Sequence, residues 1–286
     1  MIQSMTGFGK ATLQLPTKKV TVEVKSLNSK GLDLNVRMPS LYREMELGLR
    51  TQLATILERG KVDFSIYIES TAEQTSTKVN VPIVKAYINQ LREIYADADA
   101  TELMKMAVRF PDTTKTEREE IDPNEWAQIQ TVIDEAVQNL MLFRKDEGQS
   151  LEKEFLLRIN NIRQFMEEAL ALDPERVQAI KDRLQTAINE LAVNVDENRF
   201  EQELIYYLEK LDITEEKVRL TNHLDYFIET INGTEANGRK LGFITQEMGR
   251  EINTMGSKSN HAQMQKLVVQ MKDELEKIKE QVLNVL

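Results

Sequence analysis

Two carboxylates one helical turn apart, Glu247 and Glu251, stand in the chain's densest run of functional polar groups, GRKLGFITQEMGREINTMGSKS at residues 238–259. Read as a helix opened near Asn237 or Gly238 and closed by Gly256, the run sorts into faces at about 100° per residue. Leu241, Ile244, Met248 and Ile252 form an apolar stripe. Lys240, Glu247, Glu251 and Thr254 line one edge of it, and Arg239, Gln246, Arg250 and Asn253 fall on the opposite side. Carboxylates beside an apolar seam sit where burial and binding of a hard divalent cation become possible. The plainer reading is an amphipathic helix whose Glu247 and Arg250 make a weak surface pair.

A second helix, Glu215–Ile231, carries the other candidates. Its apolar stripe is Leu220, Leu224, Phe227 and Ile231, and Glu216, Arg219, His223 and Tyr226 stack along one edge at i, i+3, i+7 and i+10. The chain has only two histidines, so one sharing a face with Glu216 and Arg219 is a candidate proton carrier. The second, His261, reads as a surface residue at a helix start.

The elements that must position these groups follow from periodicity. Val20, Val22 and Val24, then Leu32, Leu34, Val36 and Met38, then Val62, Phe64, Ile66 and Ile68 alternate with polar residues, as half-buried strands do. With a helical pattern over Leu41–Leu57 the order is β-β-β-α-β, a small, mostly antiparallel sheet with a helix on one face. Gly7 and Gly9 suggest a bulge or a close backbone approach in the first strand. Beyond Val81 the pattern is helical. Pro82 opens one helix, and residues 97–124 read as a polar linker around a short helix at Glu102–Val108. Helices are expected from Asn124, its own cap, to Phe143, from Gln149 to Leu170, and from Asp173-Pro174 to Leu191. In the last, Met264–Val285, apolar residues at steps of four and three predict knobs-into-holes packing against a partner in this chain or another. The fold class is α+β, divided as an N-terminal α/β domain at 1–155, a helical connector at 156–200 and a C-terminal helical domain at 201–286 carrying the site.

Composition excludes more than it assigns. The absence of cysteine rules out disulfides, thiolate zinc sites and a cysteine nucleophile. No apolar run approaches 18 residues and no signal-peptide core is present, so a cytoplasmic protein is expected. Phosphate-loop, dinucleotide, serine-esterase and zinc-protease motifs are missing. A net charge of −10 opposes long-range attraction of nucleic acid. Residues 238–258 nonetheless set Arg239, Lys240, Arg250 and Lys258 against only Glu247 and Glu251.

The same helix, with MIQSMTGFGKA at the start, ERGKVDFSI from Glu58, DEGQSLEKE from Asp146, DITEEKVRLTNHLDYF from Asp212 and KDELEKIKEQVLN from Lys272, resembles the bacterial YicC/YloC family of endoribonucleases along the whole chain. That resemblance implies RNA as substrate, a divalent metal as activator and a hexameric homo-oligomeric ring that engulfs RNA. RLTNHLDYF includes His223. Members usually carry Asp where Gly242 stands, Asn where Gly249 stands and commonly Arg where Lys30 stands. Cutting RNA needs an activated nucleophile, charge stabilisation and a proton donor, and a carboxylate-held cation supplies the first two. With many Glu and few His, the metal route is expected, with Mn²⁺ or Mg²⁺. Glu247 and Glu251 are the candidate catalytic metal ligands, with Glu216 as a third carboxylate and His223 as ligand or proton shuttle. Arg219, Arg239, Lys240, Arg250 and Lys258 are the candidate phosphate contacts, and Asn253 a base or sugar contact. The alternative is a non-catalytic adaptor that presents RNA to another nuclease, or a purely structural oligomer.

Overall fold

Residues 2–70, 77–116, 121–191, 197–233 and 238–286 are described in a computed structural model. The first part has the expected element order: β1 (Gly7–Gln14), β2 (Lys18–Leu27), β3 (Leu32–Arg37), a 3-10 turn (Ser40–Met45), α1 (Glu46–Leu57) and β4 (Gly60–Ser70). The sheet runs β1-β2-β4-β3, antiparallel except for the β3/β4 pair, which α1 connects as a parallel crossover. Alternation directs Val20, Val22, Val24, Val62, Phe64 and Ile66 inward, onto Leu49, Leu53 and Leu57 of α1. The outward residues of the four strands are exposed or half-buried, except Ser65 of β4, which is buried.

Residues 97–124 are more than a linker around one helix. β5 (Thr77–Val79) pairs antiparallel with β6 (Thr114–Thr116), closing a small unit around α2 (Val81–Ile94) and α3 (Ala100–Ala107). Strands of three residues are too short to display a period.

The larger correction concerns α4 (Pro123–Ala171), one helix of 49 residues where two were expected. Gly148 reads as a break but serves a close approach instead. A Cβ there would lie 2.1 Å from the carbonyl oxygen of Ile2. Arg144 and Gly148 thus occupy consecutive places on a buried stripe that runs from Leu140 to Leu151 without interruption. Asp122, not Asn124, caps the helix, its carboxylate accepting from the Asn124 N–H at 2.9 Å. The glycines of β1 prove to be a close approach as well: a Cβ on Gly9 would lie 2.0 Å from the Ala136 carbonyl oxygen of α4.

The first half of α4 packs Ile129, Ile133, Ala136 and Leu140 on the sheet. Its second half packs Phe155, Ile159, Ile162 and Met166 into a separate helical core. The boundary expected at 155/156 therefore falls inside α4. After α5 (Asp173–Leu191) and α6 (Glu197–Lys210), the second core is completed by α7 (Thr214–Asn232), α8 (Gly238–Lys258) and α9 (Ala262–Val282). The α9 seam, Met264, Val268, Met271, Leu275, Ile278 and Val282, finds its partners within the chain, in α4 and α8. His261 caps α9, as its position at a helix start suggests. The helix ends before Val285 because the last residues pair with the first: Met5 N–H donates to the Asn284 carbonyl at 2.7 Å, and Leu286 N–H to that of Gln3 at 2.9 Å. Among the described residues no helix is long and apolar enough to cross a membrane.

Candidate active site at the α7–α8 edge

α7 and α8 form an antiparallel hairpin whose apolar stripes, Leu220, Leu224, Phe227 and Ile231 on one and Leu241, Ile244, Met248 and Ile252 on the other, are all buried. Thr245, Met255, Gly238 and Gly256 widen the α8 stripe beyond the one expected. α8 ends at Lys258, two residues past Gly256, and Asn237 lies outside the described residues.

The two polar edges meet across the hairpin in rungs. Lys240 Nζ stands 4.7 Å above the Tyr226 ring. Arg219 Nη1 lies 3.9 Å from Glu251 Oε1. Lys258 Nζ donates to Glu216 Oε1 and to the Asp212 carbonyl, each at 2.8 Å. The register of these rungs places His223, half-buried, level with Glu247, which is exposed. Arg239, Arg250 and Asn253 are exposed around the solvent flank of α8.

The candidate carboxylates have unlike surroundings, although spacing alone made them look equivalent. Glu247 is exposed, with Arg250 Nη1 at 3.9 Å. Glu251 is buried, and among the described residues it accepts no hydrogen bond and has only the loose Arg219 contact. Arg219 also holds Glu215 on its own helix. Glu216 is buried with one oxygen on Lys258 and the other, Oε2, without a hydrogen-bond partner among the described residues. Lys258, expected on phosphate, is thus committed to Glu216. Among the described residues no three His, Asp or Glu side chains gather closely enough to hold a metal by themselves. Asp212, beside Lys258 at the start of α7, is held below the usual carboxylate range, first by the Thr214 hydroxyl and also by the Thr214 N–H and the Lys258 charge.

Two positioning groups escaped sequence reasoning. Arg176 of α5 is buried at the foot of the hairpin, where Nη1 donates to the carbonyls of Leu211 at 2.7 Å and Lys258 at 2.8 Å while Nη2 pairs with Asp173 at 2.7 Å. It ties the end of α6 to the end of α8, the turn from which Lys258 reaches Glu216. The only local signal was the Asp173/Arg176 spacing of three. Glu274 of α9 is the other buried acid of this core. It is held by Arg158 at 3.2 Å, Asn161 at 2.9 Å and Lys277 at 2.5 Å. Burial pushes its carboxyl upward, but these hydrogen bonds prevail and hold it below the ordinary range.

Acidic and basic edges thus face one another along the helical hairpin, and comparison with known proteins gives the family. Residues 2–153 match the family model "Endoribonuclease YicC-like, N-terminal region", and residues 169–286 match "Endoribonuclease YicC-like, C-terminal". The chain is 33% identical over 293 residues to a probable endoribonuclease YicC of Clostridioides difficile (strain 630), with all of both chains covered. It is 29% identical over 288 residues to a probable endoribonuclease YicC of Haemophilus influenzae, again over the full length of both. With both family regions in order and full-length relatives on either side of 30% identity, the chain belongs to the YicC-like endoribonuclease family.

Proposed function

We propose that this chain cuts RNA internally with a divalent cation recruited at the Glu251 edge of α8, and that it works as a homo-oligomeric ring around its RNA. The observation that carries the reading is the state of Glu251: buried, without a hydrogen bond among the described residues, and approached only by the Arg219 guanidinium at 3.9 Å. A carboxylate in that state is served poorly by its own chain and well by a cation. Glu216 Oε2, buried and orphaned, has the same need. The absence of a three-carboxylate cluster is compatible with Mg²⁺ or Mn²⁺, because such ions commonly take one or two carboxylates and complete their shell with water and substrate phosphate. When bound, the cation would lower the pKa of a water and neutralise charge on the phosphate under attack. Glu247 and Glu251 hold it from α8, with Glu216 behind them. His223, level with Glu247 and half open to solvent, passes a proton. Arg219, Arg250 and Arg239 orient the phosphates, Lys240 adds charge from its place on Tyr226, and Asn253 meets a base or sugar.

The ring takes no support from the α9 seam, which is filled within the chain. It is supported by the apolar surface of the α2–α3 unit, where Val81, Ile94, Tyr95, Met104 and Met106 are exposed.

One observation favours the adaptor reading: Lys258 occupies Glu216 in the way a bound cation would. A labelled hairpin RNA incubated with Mn²⁺, with Mg²⁺ and with chelator separates the two. Internal cuts that need metal and vanish in Glu251→Gln support the enzyme. Binding without cutting under every condition supports the adaptor. Mn²⁺ binding measured with and without a non-cleavable RNA gives a readout independent of turnover, and Glu251→Gln is expected to weaken it in both.

A further inference from the structure

Among the described residues no other element covers the outer face of the N-terminal sheet, and its residues differ from an ordinary solvated face. Pairing register puts Phe8 of β1 beside Lys25 of β2, Lys25 beside Asp63 of β4, and Asp63 beside Asn35 of β3. The next outward row is Lys10, Glu23, Ser65 and Arg37, and the one after it holds Thr12, Thr21 and Tyr67. Phe8 is 41% exposed and Tyr67 50%. Two aromatic rings therefore stand open on one face, separated by polar and cationic side chains.

Two strand spacings and four residues separate the rings, roughly 16 Å. That is too far for one planar group to touch both, so each ring takes a separate group. The face carries five cations, Lys10, Lys19, Lys25, Arg37 and Lys61. Four carboxylates, Glu23, Asp33, Asp63 and Glu69, oppose them, leaving a slight positive balance on a chain of net charge −10. Several cations are already engaged. Lys10 lies 2.9 Å and Lys25 3.7 Å from Glu23, and Lys25 also stands 5.6 Å from the Phe8 ring centroid. Arg37 and Lys61 make no ion pair among the described residues.

We propose that this face is a second RNA-binding surface, distinct from the α7–α8 edge, which takes an unpaired stretch of the strand with one base on Phe8, another on Tyr67 and phosphates along Lys25, Lys61 and Arg37. Open aromatics on a sheet stack bases of any sequence, because every base has a π-face, while nearby cations follow the backbone. A second copy of the chain is the rival occupant, and the chemistry disfavours it. The centre of a protein interface is depleted of charge, whereas more than half of the outward positions here are charged. The inference rests on the reading of RNA as substrate. It adds that the strand is held at two places, so the sheet domain selects RNA with a single-stranded region next to the cut.

The test is fluorescence anisotropy of the full-length protein with a labelled, unstructured 20-nucleotide RNA, in chelator so that nothing is cut. Phe8→Ala and Tyr67→Ala are each expected to weaken binding about tenfold, and Phe8→Trp to restore it, as loss and return of a stacked base require. Glu23→Gln is expected to tighten binding about threefold by releasing Lys10 and Lys25 for phosphate. A purely structural role for the face would not produce that gain. The proposal is overturned if both alanine variants bind within twofold of the unaltered protein, or if Glu23→Gln fails to tighten binding. It is equally overturned if Phe8→Ala changes the oligomeric mass in sedimentation while affinity per subunit stays constant, which would make the face a subunit contact. Hairpin cleavage by the unaltered protein with Mn²⁺ is read alongside. Cutting with unaffected sheet variants removes the second surface alone, whereas no binding and no cutting by the unaltered protein removes the RNA reading itself.

Discussion

The two cores threaded on α4 solve the same packing problem and differ in what they bury. The sheet core is almost wholly aliphatic and aromatic, and its one fully buried charge among the described residues, Arg144, sits at the margin where the chain termini cross the helix. The helical core buries Arg176, Glu216, Glu251 and Glu274 among its methionines and leucines. Charge in a low-dielectric interior costs stability unless it is paired and hydrogen-bonded. The helical core accepts that cost repeatedly, and unevenly. Glu274 has three donors, Glu216 has Lys258 on one oxygen only, and Glu251 has a single distant guanidinium. Pairing of buried acids within one core thus runs from full at Glu274 to minimal at Glu251, and the function proposed for Glu251 predicts that the two ends behave differently when neutralised.

The sharpest way to break that contrast is to neutralise the acids one at a time. Glu251→Gln is expected to lower hairpin cleavage at least about a hundredfold, the scale on which removal of a group acting on transition-state charge is felt. The same change should leave the melting temperature level or slightly higher, because a poorly paired buried charge is replaced by a neutral isostere. Glu251→Gln that cuts normally but melts early would make Glu251 a structural acid and erase the distinction.

Close backbone approaches to α4, by the N-terminal segment at Gly148 and from β1 at Gly9, give the next largest effect. Gly148→Ala would drive a methyl group into the Ile2 carbonyl, and Gly9→Ala into that of Ala136. Each should cost about 2–3 kcal/mol by overpacking, seen as a fall of roughly 5–10 °C in a thermal melt. Because both partners are backbone, no side-chain rotation relieves the clash.

Glu274 provides the opposite case to Glu251. Its folded carboxyl sits below the ordinary value, so the stability it contributes is present above the unfolded carboxylate range and is lost as pH falls through the folded value. Glu274→Gln should therefore cost about 1–2 kcal/mol at neutral pH and almost nothing in strong acid, with cleavage by the surviving folded protein unaltered. Urea melts of both proteins from pH 7 down to pH 3 check this. A constant gap between them across that range would show that the hydrogen bonds to Arg158, Asn161 and Lys277 do not depend on the charge.

What the sequence made legible follows from the range of each interaction. Period-2 alternation placed Val20, Val22 and Val24 on the inner face, and helical period placed Glu216, Arg219 and His223 on one edge and Glu247 and Glu251 on another. That these edges face each other depends on how the chain returns between α7 and α8, which no spacing within either helix encodes. Burial divided Glu247 from Glu251 for the same reason: the environment is set by packing, not by the turn they share. The break expected near Gly148 fails because a glycine that admits a distant backbone looks, in sequence, like one that ends a helix. Arg176 was hidden because its main acceptors are carbonyls, which every residue has.

The smallest expected effect bears on whether this member of the family has given up a functional group on α8. Gly242 and Gly249 stand where the resemblance leads one to expect Asp and Asn. Neither interrupts the helix, so each carries the backbone entropy of an interior glycine. A Cβ at Gly242 meets only Val282 Cγ1, at 3.9 Å, while one at Gly249 comes within 3.3 Å of Leu275 Cδ2. Gly242→Ala should thus stabilise the protein by up to about 1 kcal/mol, and Gly249→Ala by less, because Leu275 must yield. Both are expected to leave cleavage unchanged, since neither side chain would enter the row of Glu247 and Glu251. Gly242→Asp then isolates chemistry from stability: if it raises cleavage well above the Gly242→Ala level at equal melting temperature, the carboxylate set of the helical core extends to the α9 side of α8. If the two variants cut alike, the set ends at the α7 edge, and the gradient from Glu274 to Glu251 describes it fully.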